Sequence, residues 1–224
     1  KDWKQSDFFN FGKFLDQNLK EIPHNQLVEI SEVSNSKIRI GFLSSDILSG
    51  HSITYFLKTI LSNYEKSKFE IILVLSNSKE DKLTNSFKNL VDKTINISQL
   101  NNVDAINQVR ELNLDILVDL MGYTSTHRIE LFKARMAKKQ IIWMGYCNTT
   151  GLKNMDYIIS DPNLIYREEE KFYTEKVIYL PKIWNTHCGF DFERKENSPP
   201  FFKKKFFTFG SFNSFDKINS DVVS

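Results

Sequence analysis

At 224 residues the chain is long enough to bury a substantial core, as one large domain or two small ones. With 30 Lys and Arg against 28 Asp and Glu, the net charge of +2 argues against nucleic acid as a partner. Apolar residues at 41% exclude a mostly disordered chain, and no run approaches the ~18 apolar residues of a membrane span, so no membrane partner is expected.

The amino-terminal residues 1–7 show no signal-peptide pattern, and a chain without an initiator Met reads as a piece of a longer one. Residues 1–36 read as a helical lead-in. Ser6 or Asp7 caps a helix carrying Phe8, Phe9, Phe11, Phe14, Leu15 and Leu19, which breaks before Pro23. So aromatic a face needs cover, from the main domain or from upstream sequence.

Residues 38–43 form a short apolar run of the kind a buried parallel strand shows. Ser44, Ser45, Asp46, Ser49 and Gly50 suit a tight turn, and Ile53, Phe56, Leu57, Ile60 and Leu61 then recur at helical spacing. Strand, turn and helix in that order open a nucleotide-binding-type α/β unit, with Asp46 and His51 at the carboxyl end of the strand. Further strands are predicted at 69–75, 94–97, 115–121, 140–144, 157–159 and 177–180, and helices at 82–90, 103–112, 128–134 and 168–172. Their alternation predicts an α/β fold, a Rossmann-like parallel sheet with helices on both faces. After Ser198-Pro199-Pro200, the triplet Lys203-Lys204-Lys205 suits either a phosphate contact or a solvated strand entry, and the second is the reading taken. Residues 206–210 read as the first strand of a second α/β lobe. The expected division is 1–36 lead-in, 37–200 main lobe and 201–224 start of the second lobe.

Three predicted strand ends carry small, hydroxylated or ionisable residues: Ser44-Ser45-Asp46 with His51, Gly122-Tyr123-Thr124, and Gly145 through Gly151. In a parallel sheet all three share one edge, so one cleft gathers them. Asp46 with His51 supplies a proton acceptor and an orienting partner. The plainer alternative makes Asp46 a helix cap and His51 a first-turn polar residue, and spacing alone favours it because Asp is a common cap. Cys147 and Cys188 stand far apart with no Cys-x-x-Cys pair, so free thiols and a cytoplasmic setting are expected. His24, His51, His127 and His187 show no metal spacing and no Asp-x-Asp clamp is present, so neither metal nor cofactor is expected.

Several stretches together resemble the catalytic region of the protein O-linked N-acetylglucosamine transferases, including the plant SPINDLY proteins. They are 38–46 with 51–57, then 115–124, Trp143-Met144-Gly145-Tyr146 with Thr149-Thr150-Gly151, and 155–161. Tyr173-Thr174-Glu175-Lys176 and 209–218 follow in the family's order. The resemblance spans about residues 37–224. It implies the amino-terminal lobe of a two-lobed glycosyltransferase plus the first strand of the second lobe. The implied reaction moves a sugar from a nucleotide-sugar donor, UDP-N-acetylglucosamine or a relative, to Ser or Thr of a protein acceptor, with inversion and without metal. The resemblance matches Asp46 to an aspartate proposed to help take the acceptor's proton and His51 to a histidine at the sugar and acceptor site. It matches Met144, Gly145 and Cys147 to the loop over the transferred sugar, includes Asn213 in the donor contacts, and matches Lys217 to the lysine at the donor diphosphate.

Departures are visible. The Asp46–His51 spacing is one residue longer than in that family, Cys147-Asn148 replaces Pro-Gly or Pro-Ala, and Met136-Ala137-Lys138 replaces Pro-Ala-Pro. The helical repeats that bind protein substrates in the family are not recognisable. The alternatives are a non-catalytic Rossmann-like nucleotide- or protein-binding module, and a lobe serving only as scaffold.

Overall fold

The computed structural model describes residues 3–32, 36–124, 126–189, 198–212 and 218. The chain divides into two compact units, Lys1–Gly189 and Phe190–Ser224. In the first, helix α1 (Gln5–Asn18) precedes the alternating series β1 (Ile38–Ser44), α2 (Ser52–Leu61), β2 (Phe69–Leu75), α3 (Lys82–Lys88), β3 (Lys93–Asn96), α4 (Asn102–Arg110) and β4 (Ile116–Asp119). Strands β5 (Lys139–Ile142), β6 (Tyr157–Ser160) and β7 (Lys176–Tyr179) follow, with 3₁₀ turns at Ile129–Ala134 and Arg167–Phe172 between them.

The seven strands make one sheet in the order β3-β2-β1-β4-β5-β6-β7, and every neighbouring pair is parallel. The predicted Rossmann-like sheet is therefore the fold. Chain order reverses between β1 and β4, where Gly41 faces Leu117 and Leu43 faces Asp119. Crossovers leave this point in opposite directions, so the loops after β1 and β4 part and open a crevice at the carboxyl edge.

Side-chain alternation explains why helices cover both faces. Along β2, Ile71, Leu73 and Leu75 join one apolar cluster with Phe42, Ile53, Leu57, Leu61 and Phe87, the inward residues of α2 and α3. Ile72 and Val74 join the other, with Leu43, Ala105, Ile106 and Val109 of α4 and with Phe132. Successive strand residues point to opposite faces, so a continuous apolar run fits a strand covered on both sides.

Several sequence expectations differ from what the chain does. Residues 128–134 form a 3₁₀ turn rather than an α-helix. The buried Arg110 guanidinium takes the carbonyls of Ala134 and Arg135, the latter at 3.0 Å, and Arg135 turns away at φ 47°. Those carbonyls are thereby lost to a continuing helix. The segment around 168–172 is likewise 3₁₀, spanning Arg167–Phe172. Helix α1 begins one residue before Ser6, and its capping acid acts from inside: Asp7 Oδ2 accepts the Lys4 amide at 2.9 Å.

In the second unit, residues 206–210 are not a strand. A short helix α5 (Pro200–Lys204) ends on Lys205 at φ 62°, and the ring of Phe207 stacks on Phe201 at 4.6 Å. No described strand pairs with residues 206–210, and an unpaired strand leaves its backbone polar groups without a ladder. The lysine triplet accordingly lies at the end of a helix, where cations suit the carbonyl end of the dipole. No described helix is long and apolar enough to cross a membrane.

Candidate active site at the carboxyl edge of the sheet

The turn after β1 is built from its own short side chains. Ser44 Oγ accepts the Asp46 amide at 2.9 Å, Ser45 Oγ donates to Asp46 Oδ1 at 2.9 Å, and Ser45 Oγ also meets Thr126 Oγ1 at 2.7 Å. Because the Ser45 proton goes to Asp46, the Thr126 hydroxyl is the donor in that second contact. A tight bend follows, with the Leu48 amide donating to the Asp46 carbonyl at 2.8 Å and the His51 amide to the Leu48 carbonyl at 3.2 Å. His51 is the residue that precedes the first turn of α2.

This bend brings His51 Nε2 to 3.6 Å from Asp46 Oδ2, with the aspartate side chain 16% exposed and the histidine 45%. Asp46 therefore does not cap α2. It lies in the turn after β1 with one oxygen held by Ser45 and the other facing His51, and the extra residue in the spacing does not keep the pair apart. The far side of the bend is tied to α3. Asp81 Oδ2 accepts the Ser49 amide at 2.7 Å, Thr84 Oγ1 donates to the Ile47 carbonyl at 2.6 Å, and Asp81 Oδ1 caps α3 through the Thr84 amide at 2.9 Å. Side-chain and backbone donors from Ser49 and Thr84 hold the Asp81 carboxyl well below the usual carboxylate range.

The turn after β4 lies beside it. Asp119, the last residue of β4, is 1% exposed and accepts the amides of Met121 at 2.9 Å and Gly122 at 3.0 Å. Burial pushes its carboxyl up to about 7, with the two amides opposing and the charge of Asp46 adding to the rise. Met121 Sδ accepts the Ser45 amide at 3.0 Å, so Asp119 fixes the turn that in turn supports the residue next to Asp46.

The turn after β5 contains the predicted donor loop. Met144 is at φ 74°, and the Gly145 amide donates to the Trp143 carbonyl at 2.9 Å, which makes a γ-turn centred on Met144. That conformation is strained for a residue with a side chain. Gly145 is required by packing, since a Cβ there would fall 1.6 Å from the Leu120 carbonyl oxygen. The Met144 side chain is buried in the cluster with Ile47, Val118, Leu120 and Trp143, so a ligand at this edge would meet its main chain and not its side chain. Burial pushes the Tyr146 phenol up to about 12, with Cys147 and Glu175 adding to the rise. Cys147 and Cys188 are free thiols, both exposed. Among the described residues, no three His, Cys, Asp or Glu side chains cluster as metal ligands.

The structure thus brings Asp46 and His51 together and sets the β4 and β5 turns along the same edge. Lys217 and Asn213, the two predicted donor contacts beyond residue 200, lie outside the described residues. Sequence reasoning missed three supporting carboxylates: Asp81, Asp119 and Glu175. Two had a readable signal. Asp81 precedes a helix with Thr three positions on, a capping pattern, and Asp119 is a charge inside an apolar strand run.

Comparison with known proteins agrees with this architecture. The family described as "Glycosyl transferase family 41" matches residues 17–189. A tomato (Solanum lycopersicum) protein named probable UDP-N-acetylglucosamine–peptide N-acetylglucosaminyltransferase SPINDLY is 28% identical over 209 residues, covering 92% of this chain and 22% of its own length. The protein of the same name from Arabidopsis thaliana is 30% identical over 190 residues, covering 83% of this chain and 21% of its own length. Among solved structures, an O-GlcNAc transferase mutant from Thermobaculum terrenum superposes with a TM-score of 0.69 at 25% identity, over 81% of this chain and 34% of that one. The chain spans about a fifth of the length of these curated relatives. A family match over most of the chain, on a sheet whose switch point carries an aspartate and a histidine in contact, places the chain in glycosyl transferase family 41.

Proposed function

We propose that this chain forms the amino-terminal catalytic lobe of a protein O-glycosyltransferase. On this reading the enzyme moves N-acetylglucosamine from UDP-N-acetylglucosamine to Ser or Thr hydroxyls of proteins, with inversion and without metal. The observation that carries it is the Asp46–His51 pair, 3.6 Å apart at the switch point of the sheet. The names of the relatives, which specify the same donor and a peptide acceptor, support it.

In this mechanism the acceptor hydroxyl attacks the anomeric carbon from the face opposite the diphosphate. Its proton passes to Asp46, while His51 orients the sugar and the hydroxyl. The bond from the anomeric carbon to the diphosphate oxygen breaks, and negative charge grows on the leaving group. Lys217 is assigned to meet that charge, where a fixed cation in a dry cleft lowers the barrier. Met144, Gly145, Cys147 and Asn213 are assigned to the donor sugar. The same proposal keeps 1–36 as lead-in, 37–200 as the catalytic lobe and 201–224 as the start of a second lobe, in a cytoplasmic enzyme.

The test is transfer of labelled sugar from UDP-N-acetylglucosamine to a Ser/Thr acceptor peptide by the full-length protein. Asp46→Asn and His51→Ala each lower kcat by about 10²-fold, the scale of general-base catalysis, with little change in donor affinity. Transfer at the unmodified rate by both variants would remove the pair from the chemistry.

A further inference from the structure

The loop that follows Cys147 is held from two sides, and neither hold belongs to the assignments above. On one side stands Glu175, immediately before β7 and 3% exposed. Its carboxylate accepts Thr149 Oγ1 at 2.7 Å, the Thr150 amide at 2.7 Å, the Thr150 hydroxyl, and Thr174 Oγ1 at 3.2 Å. The two threonine hydroxyls in turn accept the next amides, Gly151 onto Thr149 at 3.1 Å and Leu152 onto Thr150 at 3.3 Å.

On the other side lies α1. Its Gly12 backbone is pressed against the loop so closely that a Cβ there would sit 2.7 Å from the Thr150 carbonyl oxygen and 2.9 Å from Gly151 Cα. The converse holds at Gly151, at φ 72°, where a Cβ would sit 2.2 Å from the Gly12 carbonyl carbon. Glycine is a poor helix former, so its presence inside α1 needs a cause, and this backbone-to-backbone contact is one. Gln5 Nε2 donates to Asn148 Oδ1 at 2.6 Å, and the same oxygen accepts the Thr149 amide at 2.7 Å. Tyr123, whose ring meets Phe11 of α1 at 6.2 Å, donates its hydroxyl to the Thr150 carbonyl at 2.5 Å. Lys133 Nζ holds the far end of the helix through the carbonyls of Asp16 and Leu19.

We infer that helix α1 and Glu175 are the two jaws of a clamp on residues Asn148–Leu152, which anchors the donor-loop residue Cys147 directly before it, with Gln5, Gly12 and Glu175 as positioning residues. The lead-in helix is then part of the site's scaffold, and displacing it changes the loop. This inference takes the importance of the loop from the donor-binding reading, but its structural content does not depend on it.

The experiment is thiol labelling of the full-length protein, in which Cys147 reports on the loop and Cys188, also exposed, serves as the internal control. Gly12→Ala drives a methyl into backbone, and Glu175→Gln keeps one acceptor oxygen but loses the charge. Each variant is expected to raise the labelling rate of Cys147 by about threefold or more while Cys188 keeps its rate, as a local opening predicts. Should Gly12→Ala fail to fold, Glu175→Gln carries the test alone. The inference is overturned if both cysteines hold their rates, or if they change together. Affinity for UDP-N-acetylglucosamine, measured on the same samples, separates the two ideas. A Cys147-specific change in a protein with no donor affinity sinks the donor reading and keeps the clamp, and unchanged labelling sinks the clamp whatever the donor does.

Discussion

Asp119 shows how much a single buried carboxyl decides here. Its two oxygens fix the amides of Met121 and Gly122, and the Met121 sulfur supports the Ser45 amide beside Asp46. With burial raising its carboxyl to about 7, against an ordinary value of 3.8, the folded chain holds a proton that the unfolded chain releases. The folded state therefore loses stability as pH rises from about 4 towards 7, by at most about 1.4 kcal/mol per pH unit for one proton. Above 7 this contribution no longer changes. Asp119→Asn removes the slope, and denaturant unfolding of both proteins between pH 4.5 and 7.5 checks it. Equal slopes would mean that Asp119 is ionised in the fold throughout. The charge was legible in the sequence as an interruption of an apolar run. Its proton was not, because protonation depends on how completely the neighbouring strands exclude water.

At the scale of elements, the strand positions were legible because buried parallel strands are nearly all apolar, and 69–75 coincides with β2. The two 3₁₀ turns were not, because apolar spacing over six or seven residues does not separate an α-helix from a tighter turn. A side chain from elsewhere, Arg110, makes that choice by taking the carbonyls at the end of one of them. The energetic weight of the sheet lies in residues such as Leu73, fully buried between β1 and β3 in the cluster that α2 and α3 complete. Leu73→Ala removes a fully buried side chain from that cluster, and is expected to cost about 2–5 kcal/mol. Urea unfolding at fixed pH measures it. A loss below ~1 kcal/mol would show that the cluster repacks around the gap.

For the whole molecule, the reversal of strand order between β1 and β4 assembles the candidate site, since it alone puts the turns of two sequence-distant strands side by side. The proposed chemistry reaches beyond these strands to Lys217. In the full-length protein Lys217→Ala is expected to slow the chemical step by about 10²-fold or more, read in a single turnover with saturating donor. An undiminished single-turnover rate would show that the charge on the leaving diphosphate is met elsewhere.

By itself the amino-acid sequence determined the alternation of strands and helices, the parallel Rossmann-like sheet, and the family. Each of these depends on local periodicity or on ordered motifs, which are written along the chain. Only the tertiary structure decided that Asp46 faces His51 instead of capping α2, that Glu175 and Gly12 meet the same loop from opposite sides, and that Met144 turns its side chain into the core. Those are contacts between residues far apart in sequence or across a bend. Their geometry is set by how layers pack and exclude water, a property of the assembled volume and not of any one segment.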